Sequence, residues 1–259
     1  MKRTEKEYHE EYYAGLGSVP DERLQVQTEG FWEALDQNPI GDLYRCLLDK
    51  MGDPKGAFIL DYGCGSGQIG VFFARLGARV RGFDVSERAV ALANRRAAVN
   101  GVQDRASFQA MDSRSLAYRT GIFDVIVGRW VLHHLEKSEL TVCAQEMARV
   151  LKRGGKAFFI EPLGDNCLIE FVRRHPSWYA RAEAYRSDRE STMRRTDILL
   201  MGSAFRNVFI HEFHLLAMLK RVIGSRKVRD VLKAADAALF LVFPSLKRYC
   251  GECVIEFWK

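Results

Sequence analysis

Between Phe58 and Pro162, short apolar runs alternate with stretches of helical periodicity, and this alternation constrains the fold more than any other feature of the chain. "AFIL", "ARVRGFDVS", "ASFQAMD", "FDVIVGRW" and "KAFFIEP" have the length and content of buried strands. "QIGVFFARLG" carries an apolar helical face and stops at Gly77. Ser86 is placed to cap "ERAVALANRRAAVN", with Gly101 past its end. Ser138 is placed to cap "ELTVCAQEMARVLKRGG", which Gly154 and Gly155 would terminate. Connections this short imply a parallel sheet covered by helices on both faces. Ligands of such sheets sit off the carboxyl ends of the strands.

The loop after the first strand, "FILDYGCGSGQIG", carries two overlapping glycine signatures. Gly65-x-Gly67-x-x-Gly70 fits a dinucleotide fingerprint, in which a helix N-terminus holds a pyrophosphate. Asp61-x-Gly63-x-Gly65-x-Gly67 fits a loop for S-adenosylmethionine (SAM). Electrostatics separates them. A carboxylate at Asp61 would repel phosphates but attract the ammonium and sulfonium of SAM. The Gly65–Gly67–Gly70 fit is then a coincidence of overlap. Asp84, ending the second strand, suits ribose hydroxyls, and Asp112, ending the third, suits an adenine amino group. Val85 and Met111 would flank the ring.

Taken in order, "ILDYGCGSG", "GFDVS", "MD", "FDVIVGRWVLHHL" and "VLKRGGKAFFIEP" resemble the motifs of class I SAM-dependent methyltransferases. The nearest subgroup is the small-molecule type that includes the ubiquinone/menaquinone-biosynthesis enzymes, over roughly residues 56–162. The resemblance implies an α/β fold with a Rossmann-like, seven-stranded, mostly parallel sheet, helices on both faces, an antiparallel last strand and a helical cap. "NVFIHEFHLL" and "GECVIEFWK" would supply the last two strands. It also implies that Asp61, Gly63, Cys64, Gly65, Gly67, Asp84, Val85, Met111, Asp112, Ser113 and Arg129 line the SAM site. "EPLGDNCLIEFVRR" resembles a run found in one branch of these enzymes, with Cys167 where proline is usual.

Around the core (56–162) the chain divides into a helical segment (1–55), a variable, arginine- and aromatic-rich segment (163–206), and C-terminal strands enclosing a helical block (207–259). The first is expected to act as a lid, bringing Tyr12 and Tyr13 to the methyl donor. His133 and His134 are the candidate bases, since imidazole titrates near neutrality. Trp130, His134, Glu161, Trp178 and Tyr179 are the candidate acceptor contacts, with Glu161 alternatively capping "LGDN". His211 and His214 are assigned to packing. After the fourth strand stands Gly128-Arg129-Trp130-Val131, not the Asn/Asp-Pro-Pro-aromatic motif of enzymes that methylate exocyclic nitrogens.

Composition removes several alternatives. The net charge is +6, yet the first fifty residues carry 6 basic and 11 acidic groups, and the basic surplus elsewhere alternates with acids. That pattern disfavours nucleic acid as a partner. The six cysteines show no framework or metal-ligand spacing, so Cys250-x-x-Cys253 is read as structural and no metal is expected. No apolar run is long enough to span a membrane, and the first residues lack a signal-peptide core, so a cytoplasmic location is expected. The block 215–246 is amphipathic, which allows a second copy of the chain or a membrane surface as its partner. The expected function is methyl transfer to a small molecule, on oxygen of an aromatic or polyketide-like natural product. The alternatives are C- or O-methylation of a lipid, quinone or glycan carrier at a membrane surface, and a nucleic-acid-modifying or non-catalytic SAM-binding protein.

Overall fold

The computed structural model describes residues 4–15, 19–30, 33, 35, 38, 40–173, 191–221 and 226–259. Their sheet has seven strands in the order β3-β2-β1-β4-β5-β7-β6. β1 (Phe58–Tyr62), β2 (Arg79–Asp84), β3 (Ala106–Ala110), β4 (Phe123–Arg129) and β5 (Leu151–Pro162) are parallel. β7 (Glu252–Trp258) runs antiparallel between β5 and β6 (Asn207–Phe213). The Rossmann-like order and the antiparallel last strand are as expected. The order reverses at β1 and β4, so the crevice off their carboxyl ends is the topological switch point.

Alternation along each central strand feeds two cores. Ile59, Val127 and Phe158 face α2 (Gly41–Met51), α3 (Gln68–Arg75) and α4 (Glu87–Val99). Their neighbours Leu60, Ile126 and Phe159 face α5 (Leu140–Val150) and α7 (Arg195–Gly202). Ser86 caps α4 as expected, its hydroxyl accepting from the Ala89 N–H at 3.1 Å. Two expected boundaries move. Glu139, with no side-chain cap bond, precedes α5 in place of Ser138. The same helix stops at Val150, because the Arg149 and Val150 carbonyls accept from Gly121 and Ile122 and draw Leu151 into β5. Gly154 then lies inside the strand at φ 75°, beside a register shift, rather than ending a helix.

The glycines of the first loop have a packing reason as well as a conformational one. A Cβ at Gly67 (φ +76°) would lie 2.7 Å from the Ala93 Cβ of α4. One at Gly70 would lie 2.7 Å from Asp61 Oδ2 and 2.9 Å from the Phe108 ring. The Gly65–Gly67–Gly70 spacing is therefore no coincidence. It lets α3 press against α4 and the sheet, the part the third glycine of a dinucleotide loop also plays.

In the variable segment, α6 (Cys167–Arg173) and α7 flank residues 174–190, and Trp178 and Tyr179 lie outside the described residues. Cys250 and Cys253 are buried free thiols, and no helix among the described residues is long and apolar enough to cross a membrane.

Candidate functional site

The ends of β1 and β2 set two carboxylates beside the glycine loop. Asp61 is buried, with Oδ2 accepting from the Gly70 N–H at 2.9 Å. Burial pushes its carboxyl up to about 7, against the opposing pull of the Gly70 N–H and the Arg129 charge. Ionised Asp61 thus has incomplete compensation within the chain. Asp84 ties the loop to its own strand: Oδ2 accepts from Gly65 at 2.9 Å and Oδ1 from Ser86 at 3.0 Å. A carboxylate has about four lone-pair directions, so Asp84 keeps acceptor capacity beyond these two bonds. Gly63 and Gly65 hold left-handed φ values of 64° and 50° between these acids. A Cβ at Gly63 would collide with Val131 at 2.2 Å. Cys64 is buried, its thiol pushed well up by burial, with Sγ 3.6 Å from the Gly65 carbonyl. The half-buried Val85 follows Asp84.

At the third strand the arrangement departs from expectation. Asp112 is exposed and forks onto Arg114, whose Nε lies 2.9 and 3.0 Å from its two oxygens. Those hydrogen bonds hold its carboxyl below the usual range. Arg114 also reaches Glu139 at 2.8 Å. An adenine amino group would compete with this fork. Ser113 turns toward α5, taking the Cys143 thiol at 3.4 Å, while Met111 packs on the core beneath.

After β4 the chain turns sharply. Trp130 adopts φ 55° and is 43% exposed, a left-handed conformation that bulky residues rarely take. Its N–H donates to the Ile160 carbonyl at 2.9 Å. The Arg129 side chain stacks on Trp130, bonds the Tyr44 hydroxyl and approaches Gln68 at 3.4 Å.

The loop's anchor is Glu161. This residue was expected to meet substrate or cap "LGDN", but it is fully buried. Its Oε1 accepts from Val131 and Leu132 at 2.8 Å each, and its Oε2 lies 2.6 Å from His133 Nδ1. His133 is thereby committed to the interior, 5% exposed, and poorly placed to meet an acceptor. The half-buried His134 instead faces α1 (Glu5–Gly15): its Nδ1 is 2.7 Å from Glu5 Oε1 and its ring packs edge-on against His9. His211 pairs with Glu256 and His214 with Glu252 and Asp42, in keeping with packing roles.

The first helix covers this end of the sheet. Lys6 and Glu10 bond Glu87 at the start of α4, and the Tyr13 hydroxyl lies 2.7 Å from where a Gly65 Cβ would stand. Burial and the nearby Asp84 carboxylate push that hydroxyl well above its ordinary range. Tyr12 packs edge-on against Tyr13. Sequence reasoning missed Glu5, His9, Tyr44 and Arg114. The four-residue spacing of Glu5 and His9 on one helix face was the signal available.

Comparison with known proteins agrees with this geometry. Residues 59–155 match the "Methyltransferase domain" family. The chain is 33% identical over 141 residues to a ubiquinone biosynthesis O-methyltransferase of Xanthomonas oryzae pv. oryzae, covering 53% of this chain and 58% of that protein. It is 35% identical over 145 residues to the 27-O-demethylrifamycin SV methyltransferase of Amycolatopsis mediterranei, covering 54% and 51%. The chain thus spans little more than half the length of these curated relatives. The fold of magnesium protoporphyrin IX methyltransferase from Synechocystis PCC 6803, solved with SAH, superposes with TM-score 0.56 at 14% identity, covering 98% of this chain and 97% of that one. Residues 59–155 of this chain thus match a methyltransferase-domain family, and the chain is similar to small-molecule methyltransferases over about half of its length.

Proposed function

We propose that this chain transfers the methyl group of SAM to an oxygen of an aromatic or polyketide-like small molecule. The observation that carries the cofactor half is Asp61, a buried acid at the end of β1 whose charge the chain leaves poorly compensated. Asp61 and Arg129 would flank the amino-acid end of SAM, Gly63 and Gly65 would admit it without side-chain clash, and Asp84 would accept from its ribose. When bound, SAM supplies an electrophilic methyl group. The chain's own part is alignment, exclusion of water and control of the acceptor proton. Trp130 and His134 stand at the acceptor side, and α1 shields it. With His133 committed to Glu161, the expectation of a base narrows to His134.

The acceptor half draws on the relatives, whose names include a ubiquinone biosynthesis O-methyltransferase and a 27-O-demethylrifamycin SV methyltransferase. A second reading, methylation of a lipid-like acceptor at a membrane surface, is favoured by one observation. Leu241 and Val242, ending α8 (Arg226–Val242), are 84% and 68% exposed just before Lys247 and Arg248. Transfer of labelled methyl from SAM should be measured to soluble catechols, to polyketide phenols and to a polyprenyl phenol carried in anionic vesicles. Incorporation into the soluble phenols supports the first reading and incorporation confined to vesicles the second. No incorporation into any of them, with SAM bound, would remove both.

Asp61 adds a pH dependence. Its pKa in the folded chain exceeds the ordinary 3.8, so it contributes stability at pH below that value, lost as pH rises through about 7. A cationic ligand favours the ionised form, so SAM affinity should rise roughly tenfold from about pH 6 to about pH 8, with proton release on binding. Calorimetry in buffers of different ionisation enthalpy measures both. The pH slope should fall in Asp61→Asn, and an equal slope there would assign the effect to another group.

A further inference from the structure

We propose that Glu5, His9 and His134 form a binding site for a borderline divalent metal ion, closed when α1 docks on the loop after β4. Glu5 and His9 stand four apart on α1 and share one helix face. His134 comes from the loop that Glu161 anchors, so no single element holds all three residues. One ligand atom from each lies within 4.8 Å of the others, with Glu5 Oε1 3.1 Å from His9 Nε2 and 2.7 Å from His134 Nδ1. Bonds of about 2.0–2.2 Å to zinc in a tetrahedron set ligands about 3.3 Å apart. The Glu5–His9 pair is already near that spacing, the Glu5–His134 pair would part by about half an ångström, and the His9–His134 pair lies within 4.8 Å.

The donor set selects the ion. Two imidazoles and one carboxylate suit zinc and its first-row neighbours, whereas calcium and magnesium favour oxygen ligands. The three side chains are between 16% and 22% exposed, so the ion would be sheltered yet reachable. Three protein ligands leave at least one coordination position for water or an acceptor oxygen, the arrangement of a catalytic rather than a structural zinc site. An ion on His134 Nδ1 would engage the lone pair a general base uses there, and would instead acidify an oxygen bound to the metal. It would also fasten the lid to the core. Only this consequence for the acceptor rests on the methyl-transfer reading. Metal binding itself needs no cofactor.

The test is titration of the full chain, stripped with EDTA, with Co2+ followed by visible absorption and with Zn2+ followed by calorimetry, both without SAM. We expect one ion per chain, the intense visible bands of four- or five-coordinate cobalt, and binding weakened about tenfold or more in both His9→Ala and Glu5→Gln. His211→Ala, on β6, should bind as the parent does. α1 has no fully buried residue, so both lid variants should melt with the parent when metal-free. As a second readout, Zn2+ should slow tryptic cleavage after Lys6 in the parent but not in His9→Ala. Absence of uptake, a thiolate charge-transfer band placing cobalt on cysteines, or undiminished affinity in both lid variants would each overturn the site.

Discussion

Replacing Glu161 with alanine should lower the unfolding free energy by about 3–5 kcal/mol, the largest loss expected from one side chain near the candidate site. Glu161 has no exposed surface and serves three partners: the Val131 and Leu132 N–H groups and His133 Nδ1. Truncation strands the buried Leu132 N–H and the part-buried Val131 N–H, at up to about 1–3 kcal/mol each, and leaves His133 beside a cavity. Glu161→Gln keeps the volume and an acceptor oxygen, and its amide can donate to a neutral His133, so its loss should be about half as large. Urea unfolding of both variants is the measurement. A loss under about 1 kcal/mol in Glu161→Ala would show that water or a moved side chain replaces the carboxylate. Because Val131 and His134 lie on the loop that Glu161 fixes, turnover should fall in Glu161→Ala with KM for SAM little changed. A merely structural carboxylate would leave kcat untouched once the protein is folded.

Asp84→Ala should weaken SAM binding by roughly 100- to 1000-fold, about 3–4 kcal/mol. Two effects add. Ribose hydroxyls lose a charged acceptor, at about 1.5–3 kcal/mol for a hydrogen bond to an ionised group. The Gly65 N–H also loses its 2.9 Å partner, so the loop that must receive the ligand is no longer held at φ 50°. Asp84→Asn separates these effects, since its amide oxygen can still accept from Gly65 while the charge is gone. An affinity midway between parent and Asp84→Ala is expected by calorimetry. Parent-like affinity in Asp84→Ala would move the ribose elsewhere, and Asp112 would gain no support, because Arg114 already occupies it.

The sheet was legible in the sequence because every central strand is a short apolar run closed by an acid, a glycine or a proline, and Ser86 and Gly101 bracket α4. Helix length at α5 was not legible. "VLKRGG" reads as a helix terminus by composition, yet strand pairing at Leu151 overrides that local preference. Asp61, Gly63 and Gly65 were legible as a loop because their chemistry is local. Glu161 was misjudged because its partners lie about thirty residues upstream, and only tertiary structure decides whether a strand-end acid faces outward or inward. His133 and His134 show the same limit. Adjacent and identical in type, they are divided by the fold between Glu161 and Glu5.

The strand order has a consequence for how the chain is made. Among the described residues β6 pairs with the sheet through β7 alone, which the ribosome delivers after residues 214–251. Until Glu252–Trp258 emerge, β6 has no strand partner among the described residues and β5 presents an open edge. If β1 to β5 assemble before β7 emerges, the nascent protein would carry a sticky border at β5 that the late insertion of one strand seals.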